Sequence, residues 1–271
     1  MNRESTSQKL VPEQLVVRKS GRIGYLGLNQ PEKHNAISYE MWTGLVEIID
    51  DFESDDDIHL IIIYGEGGKA FSSGADISQF EQARACPETI RIYDGAAERA
   101  QEKLATMSKP TIAKITGYCI GGGLATALCC DLRFATHDSK FGIPAAKLGL
   151  GYGYSGLKPL VQLVGPTHAK EIMFTARQFS AAEAYEMGLI NQALTRRELN
   201  RFVYEYTETI ANNAPLTIRA CKRIINEIGK ETGNRDLSLC ERLVSDCFAS
   251  QDYKEGRRAF MQKRAPRFLG K

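Results

Sequence analysis

Several features are missing from this sequence, and each absence excludes something. No apolar run approaches the roughly 20 residues that a membrane-spanning helix needs; the longest, around Leu60 to Ile63, suits a buried strand. Neither sign of charge is in excess. The 35 basic and 33 acidic residues leave a formal net charge of +2, which gives no electrostatic case for a nucleic-acid partner or an anionic membrane. The N-terminal MNRESTSQKL is polar and lacks the apolar core of a signal peptide, so a cytoplasmic location is expected. Among seven cysteines (Cys86, Cys119, Cys129, Cys130, Cys221, Cys240, Cys247) no pair has Cys-x-x-Cys spacing and the count is odd. Reduced, mostly buried thiols are therefore expected. His34, His59, His137 and His168 are scattered without ligand spacing; surface or loop positions are expected for them, and no metal is expected.

What is present is enough for a sizeable core, with 271 residues and 43% hydrophobic content. The first dozen residues are expected to be a disordered tail. Leu15-Val16-Val17 and Ile23 to Leu28 flank Gly21 as in a hairpin. Met41, Trp42, Leu45, Ile48, Ile49 and Phe52 follow a helical period, with Ser38 as N-cap. Leu60-Ile61-Ile62-Ile63-Tyr64 is a β-branched run ended by Gly65, which predicts a strand buried on both faces. Further strands are predicted at Pro110 to Ile115 and Leu132 to Ala135, with a small-residue, uncharged and therefore buried helix over Leu124 to Cys130. From about Ser180 the pattern changes to charged amphipathic helices, one starting near Pro215 and ending at Gly229 and Gly233. The expected organisation is an α/β core over residues 13–200 and a C-terminal helical region over 201–271.

Two glycine-containing loops, Phe71 to Ile77 and Gly117 to Gly123, each follow a predicted strand, which puts them at the same sheet edge. Small residues let a ligand approach backbone closely, and a helix beginning at Gly122 would aim unpaired N–H groups and its positive dipole end outward. Two such N–H groups converging would form an oxyanion hole. The plain alternative, turns and packing contacts, holds equally for either loop alone.

The residues Asn29-Gln30-Pro31-Glu32-Lys33-His34-Asn35-Ala36-Ile37, Ser73-Gly74-Ala75-Asp76-Ile77, Gly117-Tyr118 with Gly121-Gly122-Gly123, and Cys130-Asp131 resemble the signature blocks of the crotonase (enoyl-CoA hydratase/isomerase) superfamily. The resemblance continues through Phe174-Thr175-Ala176 to Phe260-Met261-Gln262-Lys263-Arg264 and so spans nearly the whole chain. It implies a spiral of ββα units, a C-terminal helical region that trimerises, and a homotrimer or dimer of trimers. It also implies an acyl-CoA thioester as substrate, with coenzyme A part of that substrate and no separate cofactor. The thioester oxygen would sit between the N–H groups of Ala75 and Gly122. Lys33, Ala75, Asp76 and Ile77 would line the CoA channel, while Phe260 and Lys263 would reach the nucleotide from a neighbouring subunit. Lys33 and Lys263 also read as ordinary surface charges, Phe260 as a core aromatic and Asp76 as a loop cap. Asp131 is expected to bond backbone.

The departures from the family pattern bear on the reaction. Where the family's hydratases carry two glutamates that activate water and move its proton, this chain has Ala125 and Ala145; where other branches place an aspartate, it has Gly153. The loop Leu148 to Gly156 resembles that of methylmalonyl-CoA decarboxylases, whose active-site tyrosine falls at Tyr152. Ala75 departs from that pattern, which has a histidine there. Decarboxylation through an enolate is the favoured expectation. An unorthodox hydratase or isomerase using other residues, and a catalytically silent acyl-CoA-binding homologue, stay open, as do roles for Tyr154 and Lys147.

Overall fold

The computed structural model describes residues 12–76 and 87–271. Its strands fall into two sheets. The larger has the order β1-β2-β3-β5-β7-β10, and the smaller the order β4-β6-β8-β9. Strands β1 (Leu15–Ser20) and β2 (Ile23–Leu28) form the expected antiparallel hairpin. From β2 onward the large sheet is parallel: β3 (Leu60–Gly65), β5 (Thr111–Ile115), β7 (Leu132–Thr136) and β10 (Gln192–Leu194) follow in turn.

After β3, β5 and β7 the chain crosses to the small sheet as β4 (Ala70–Ser72), β6 (Tyr118–Ile120) and β8 (Lys140–Gly142), and a helix follows each. The helices concerned are α2 (Pro87–Thr106), α3 (Gly122–Leu128) and α4 (Tyr154–Thr175). This repetition is a spiral of ββα turns, the mixed α/β architecture expected from the sequence. An antiparallel β9 (Phe179–Ser180) closes the small sheet.

Side-chain alternation along β3 explains why its sequence is continuously apolar. Ile61 and Ile63 face the main core with Trp42, Phe71 and Ile115. Leu60 and Ile62 face the other side, where Leu199, Val203 and Ala211 of α6 (Arg196–Asn212) cover them. A strand covered on both faces has no polar side to show, and truncating Ile62 to alanine would cost about 2–5 kcal/mol.

Helix α1 (Tyr39–Ser54) begins where Ser38 Oγ accepts from Met41 N, and it buries the six apolar residues named above. Its last turn is closed by Lys109, which is fully buried and whose Nζ donates to Phe52 O and Asp55 O, both at 2.5 Å. Burial lowers the Lys109 pKa. His59 lies in the loop between α1 and β3, one of the positions expected, yet it is buried, and its Nδ1 lies 3.0 Å from Ala211 O. A neutral ring with one backbone partner is easily desolvated, and burial lowers its pKa accordingly.

The remaining helices are α5 (Ala181–Glu186), α7 (Pro215–Ile228), α8 (Leu237–Ala249) and α9 (Gln251–Met261). α4 is broken at Gly165 (φ 73°, ψ 167°), just before Pro166, and so is two helical segments. Among the described cysteines, Cys119 and Cys130 are buried and Cys221 is exposed; all six are free thiols. No helix among the described residues is long and apolar enough to cross a membrane.

Candidate active site

The two glycine loops meet where β4 and β6 run side by side. Ile37 pairs in parallel with Ala75: Ile37 N donates to Gly74 O at 2.7 Å, and Asp76 N donates to Ile37 O at 3.1 Å. In a parallel ladder the residue between those two bonds turns its own N–H the other way. Ala75 N–H is therefore free of Ile37. On the facing segment Gly121 precedes α3, and Gly122 is its first residue, so Gly122 N has no intrahelical acceptor. Among the described residues neither N–H donates to a protein acceptor.

These two segments approach as closely as glycine allows. A Cβ placed on Gly122 would lie 3.4 Å from Ala75 N, and one on Gly74, whose φ is +102°, would lie 3.1 Å from Gly122 N. Asn35 braces the arrangement from below. It is fully buried at φ +55°, accepts from Gln30 N, and donates to Glu66 O and Ala70 O at either end of the turn into β4. Asparagine tolerates the left-handed region better than other non-glycine residues. At its far end α3 is held by buried Arg133, which donates to Ala127 O, Cys130 O and Leu189 O. Asp131 accepts from Thr111 N and from Lys222 Nζ, the structural role expected of it.

A cavity of about 310 Å³ opens in front of the two N–H groups. Its inner wall holds Ala125, Ala145, Ile143, Leu150, Trp42 and Tyr152. Ala125 and Ala145 both line it and present methyl groups, which can neither take nor give a proton. Trp42 Nε1 donates to Tyr93 Oη, which donates to Ile37 O at 2.8 Å; this fixes the aromatic wall to the strand that pairs with Ala75. Burial pushes the Tyr152 phenol up to about 12, so it is neutral at pH 7 and donates hydrogen bonds without acting as a base. Tyr154 is 76% exposed and does not line the cavity, and neither does exposed Lys147.

The sequence reading missed one wall. Asp94, Ala97, Glu98 and Gln101, on one face of α2, also line the cavity. Their neighbours Tyr93, Ala96, Ala100 and Leu104 are buried in the core. The period of those four was the available signal for the helix, but nothing in it separates a cavity-facing polar stripe from a solvated one.

Lys33 and Asp76 come together beside the loops, with Nζ 2.8 Å from Oδ2 and Asp76 buried. The Asp76 carboxylate holds the Lys33 pKa above its usual range. Ile77 lies outside the described residues. Phe260 and Lys263 lie at the end of α9, away from this cavity. Phe260 is 83% exposed and borders an apolar groove with Phe248 and Tyr253. A wider depression of about 1020 Å³ near the C-terminal segment is lined by Glu255, Arg258 and Arg264, whose charges are already paired with one another.

Two backbone N–H groups, that of Ala75 beside Ile37 and that of Gly122 at the start of a buried helix, thus border an aromatic-walled cavity on a ββα spiral. The enoyl-CoA hydratase/isomerase family model matches residues 18–271. The chain belongs to that family. It is 33% identical to a crotonyl-CoA hydratase of Syntrophomonas wolfei over 259 residues, 96% of this chain and 99% of that one. It is likewise 33% identical to an (E)-benzylidenesuccinyl-CoA hydratase of Thauera aromatica, covering 93% of this chain and 97% of the relative. The crystal structure of an enoyl-CoA hydratase/carnitine racemase from Magnetospirillum magneticum superposes with a TM-score of 0.91 at 34% identity, covering 96% of both chains.

Proposed function

We propose that this protein acts on a short acyl-CoA thioester through an enolate, with the thioester oxygen between Ala75 N–H and Gly122 N–H, and that it decarboxylates a thioester whose α-carbon bears a carboxylate. The observation that carries this reading is the inner wall. Ala125 and Ala145 cannot take a proton, and Tyr152 is held neutral. Loss of CO2 needs no base, because the breaking carbon–carbon bond leaves its electron pair on the α-carbon and the thioester carbonyl takes up the charge. Donors aimed at that oxygen each contribute about 3 kcal/mol of barrier lowering. The neutral Tyr152 hydroxyl can hold the departing carboxylate by a hydrogen bond. Lys33, Asp76 and Ile77 would flank the CoA arm, with Phe260 and Lys263 supplied from a neighbouring copy in a trimer or dimer of trimers.

Hydration is the second reading, favoured by the activities named for the relatives. It requires a proton-transfer group outside positions 125 and 145. The discriminating experiment is turnover of malonyl-, methylmalonyl- and crotonyl-CoA with mass-spectrometric detection. Acetyl- or propionyl-CoA from the first two is expected. Ready hydration of crotonyl-CoA with no CO2 loss from the others would replace the first reading by the second, and tight binding of all three without turnover would make the protein an acyl-CoA-binding homologue.

A further inference from the structure

Decarboxylation starts without a base but ends on an enolate whose α-carbon needs a proton, and the inner wall supplies no carboxyl group to deliver it. From the α2 wall we infer that Glu98 exchanges this proton between water and the substrate α-carbon, a role that rests on the enolate reading above. Three observations carry the inference.

First, Glu98 lines the same cavity as Ala75 and Gly122. Second, it is held by one oxygen only. Ser155 Oγ, in the first turn of α4, donates to Glu98 Oε1 at 2.9 Å, while Oε2 has no hydrogen-bond partner among the described residues. A carboxylate fixed through one oxygen, with the other open to a cavity, is positioned for proton transfer in a way that a freely rotating surface glutamate is not. Third, Glu98 is exposed, at the mouth, so water can reload it after each turnover. Asp94, Ala97 and Gln101 complete the stripe at helical spacing, and the burial of Tyr93, Ala96, Ala100 and Leu104 in the core keeps this face of α2 turned to the cavity.

The step balances. With the proton on Oε2, the enolate carbon–carbon π pair forms the new C–H bond, the oxyanion returns to a thioester carbonyl, and Glu98 is left ionised for water to reprotonate. Run backwards on the product, ionised Glu98 removes the α-proton and the electron pair returns to the oxygen held by the two N–H groups. Glu98 is thus a catalytic residue by contact with the reacting carbon, and Ser155 a positioning residue that acts through it.

The reverse direction gives the test. Propionyl-CoA is incubated in D2O with the wild-type chain, Glu98→Gln and Ser155→Ala; deuterium uptake is followed by mass spectrometry, and binding by calorimetry on the same samples. The expected result is uptake with the wild type and at least about 100-fold slower uptake with Glu98→Gln, the lower end of what a positioned acid or base contributes, with Kd changed less than about threefold. Ser155→Ala should slow exchange by a smaller factor, recovered in Ser155→Thr. Glutamine keeps the Ser155 contact and the size of the side chain, so folding is checked simply by an unchanged melting temperature. Exchange by Glu98→Gln at the wild-type rate, or propionyl-CoA binding to the wild type with no exchange, would overturn the assignment while leaving the enolate site standing. Absence of binding to the wild type would instead remove the site reading on which it rests.

Discussion

Replacing Gly123 by alanine tests how the two N–H donors are held. A Cβ at this position would meet Ser72 O at 2.5 Å, Ser72 Cβ at 2.7 Å and Ser72 Oγ at 2.9 Å. Ser72 is fully buried and cannot swing into solvent. Its Oγ accepts from Gly74 N at 3.1 Å, so moving Ser72 moves the residue immediately before Ala75. Overpacking of this kind costs about 1–3 kcal/mol. At roughly 2–4 °C per kcal/mol for a chain of this size, the melting temperature should fall by about 2–12 °C.

The effect on rate should be larger than the stability loss suggests, because a displacement approaching 1 Å at a reacting centre can cost about 100-fold. Turnover of the best thioester from the panel, measured beside a thermal melt, gives both numbers. Gly233→Ala is the control, since nothing lies within 4 Å of a Cβ there, and it should change neither. A Gly123→Ala protein that melts lower yet keeps wild-type turnover would refute the claim that this contact sets the donor geometry.

Four further outcomes are expected. The double change Ala125→Glu with Ala145→Glu should raise crotonyl-CoA hydration above a feeble wild-type level, at some cost in stability because the new carboxylates are buried; a wild-type turnover of about 10 per second or more would show that another residue already moves that proton. Tyr152→Phe should keep thioester affinity and lose turnover, and calorimetry showing loss of all affinity would contradict its assignment to the reacting end. Glu183, held at about 2 by its bonds to Ser180 and by Arg177, has a folded pKa below its unfolded one, so its stabilisation is present above about pH 4.5 and is lost as pH falls through about 2. Glu183→Gln should therefore cost about 1 kcal/mol or less at pH 7, the side chain being 39% exposed, and next to nothing near pH 2, as read from paired melts. Sedimentation at micromolar concentration should show a trimer-based assembly, because Leu237, Val244, Phe248, Phe260 and Met261 are all at least 44% exposed in one chain; a monomer would count against it.

Much of the fold was legible because its signals are local. The β-branched run at 60–64 can only be a strand covered on both sides, Ser38 marks a helix start by its own side chain, and Gly121 to Gly123 mark a loop turning into a buried helix. That the two glycine loops share a sheet edge was legible from the strands before them, but Ala75 and Gly122 themselves were picked out only by the family resemblance. The α2 wall was not legible. Asp94 and Glu98 have the composition of any solvated helix face, and only the seating of Tyr93, Ala96, Ala100 and Leu104 in the core turns them over the cavity. His59 is the loop histidine expected, but its burial was not legible, since Ala211 of α6, which covers it, is 152 residues away in sequence.

The two backbone N–H groups and the side chains across the cavity from them lie on different parts of the chain. Ala75 and Gly122 are fixed by Asn35, Ser72 and Arg133, none of which faces the cavity, whereas the opposite lining consists of side chains on α2, α3 and the loop before α4. The cavity lining can therefore change without disturbing the backbone that presents the two N–H groups. On the proposed reading, substitutions at positions 98, 125, 145 and 152 would change how an enolate is formed and protonated while leaving the backbone cradle as it is.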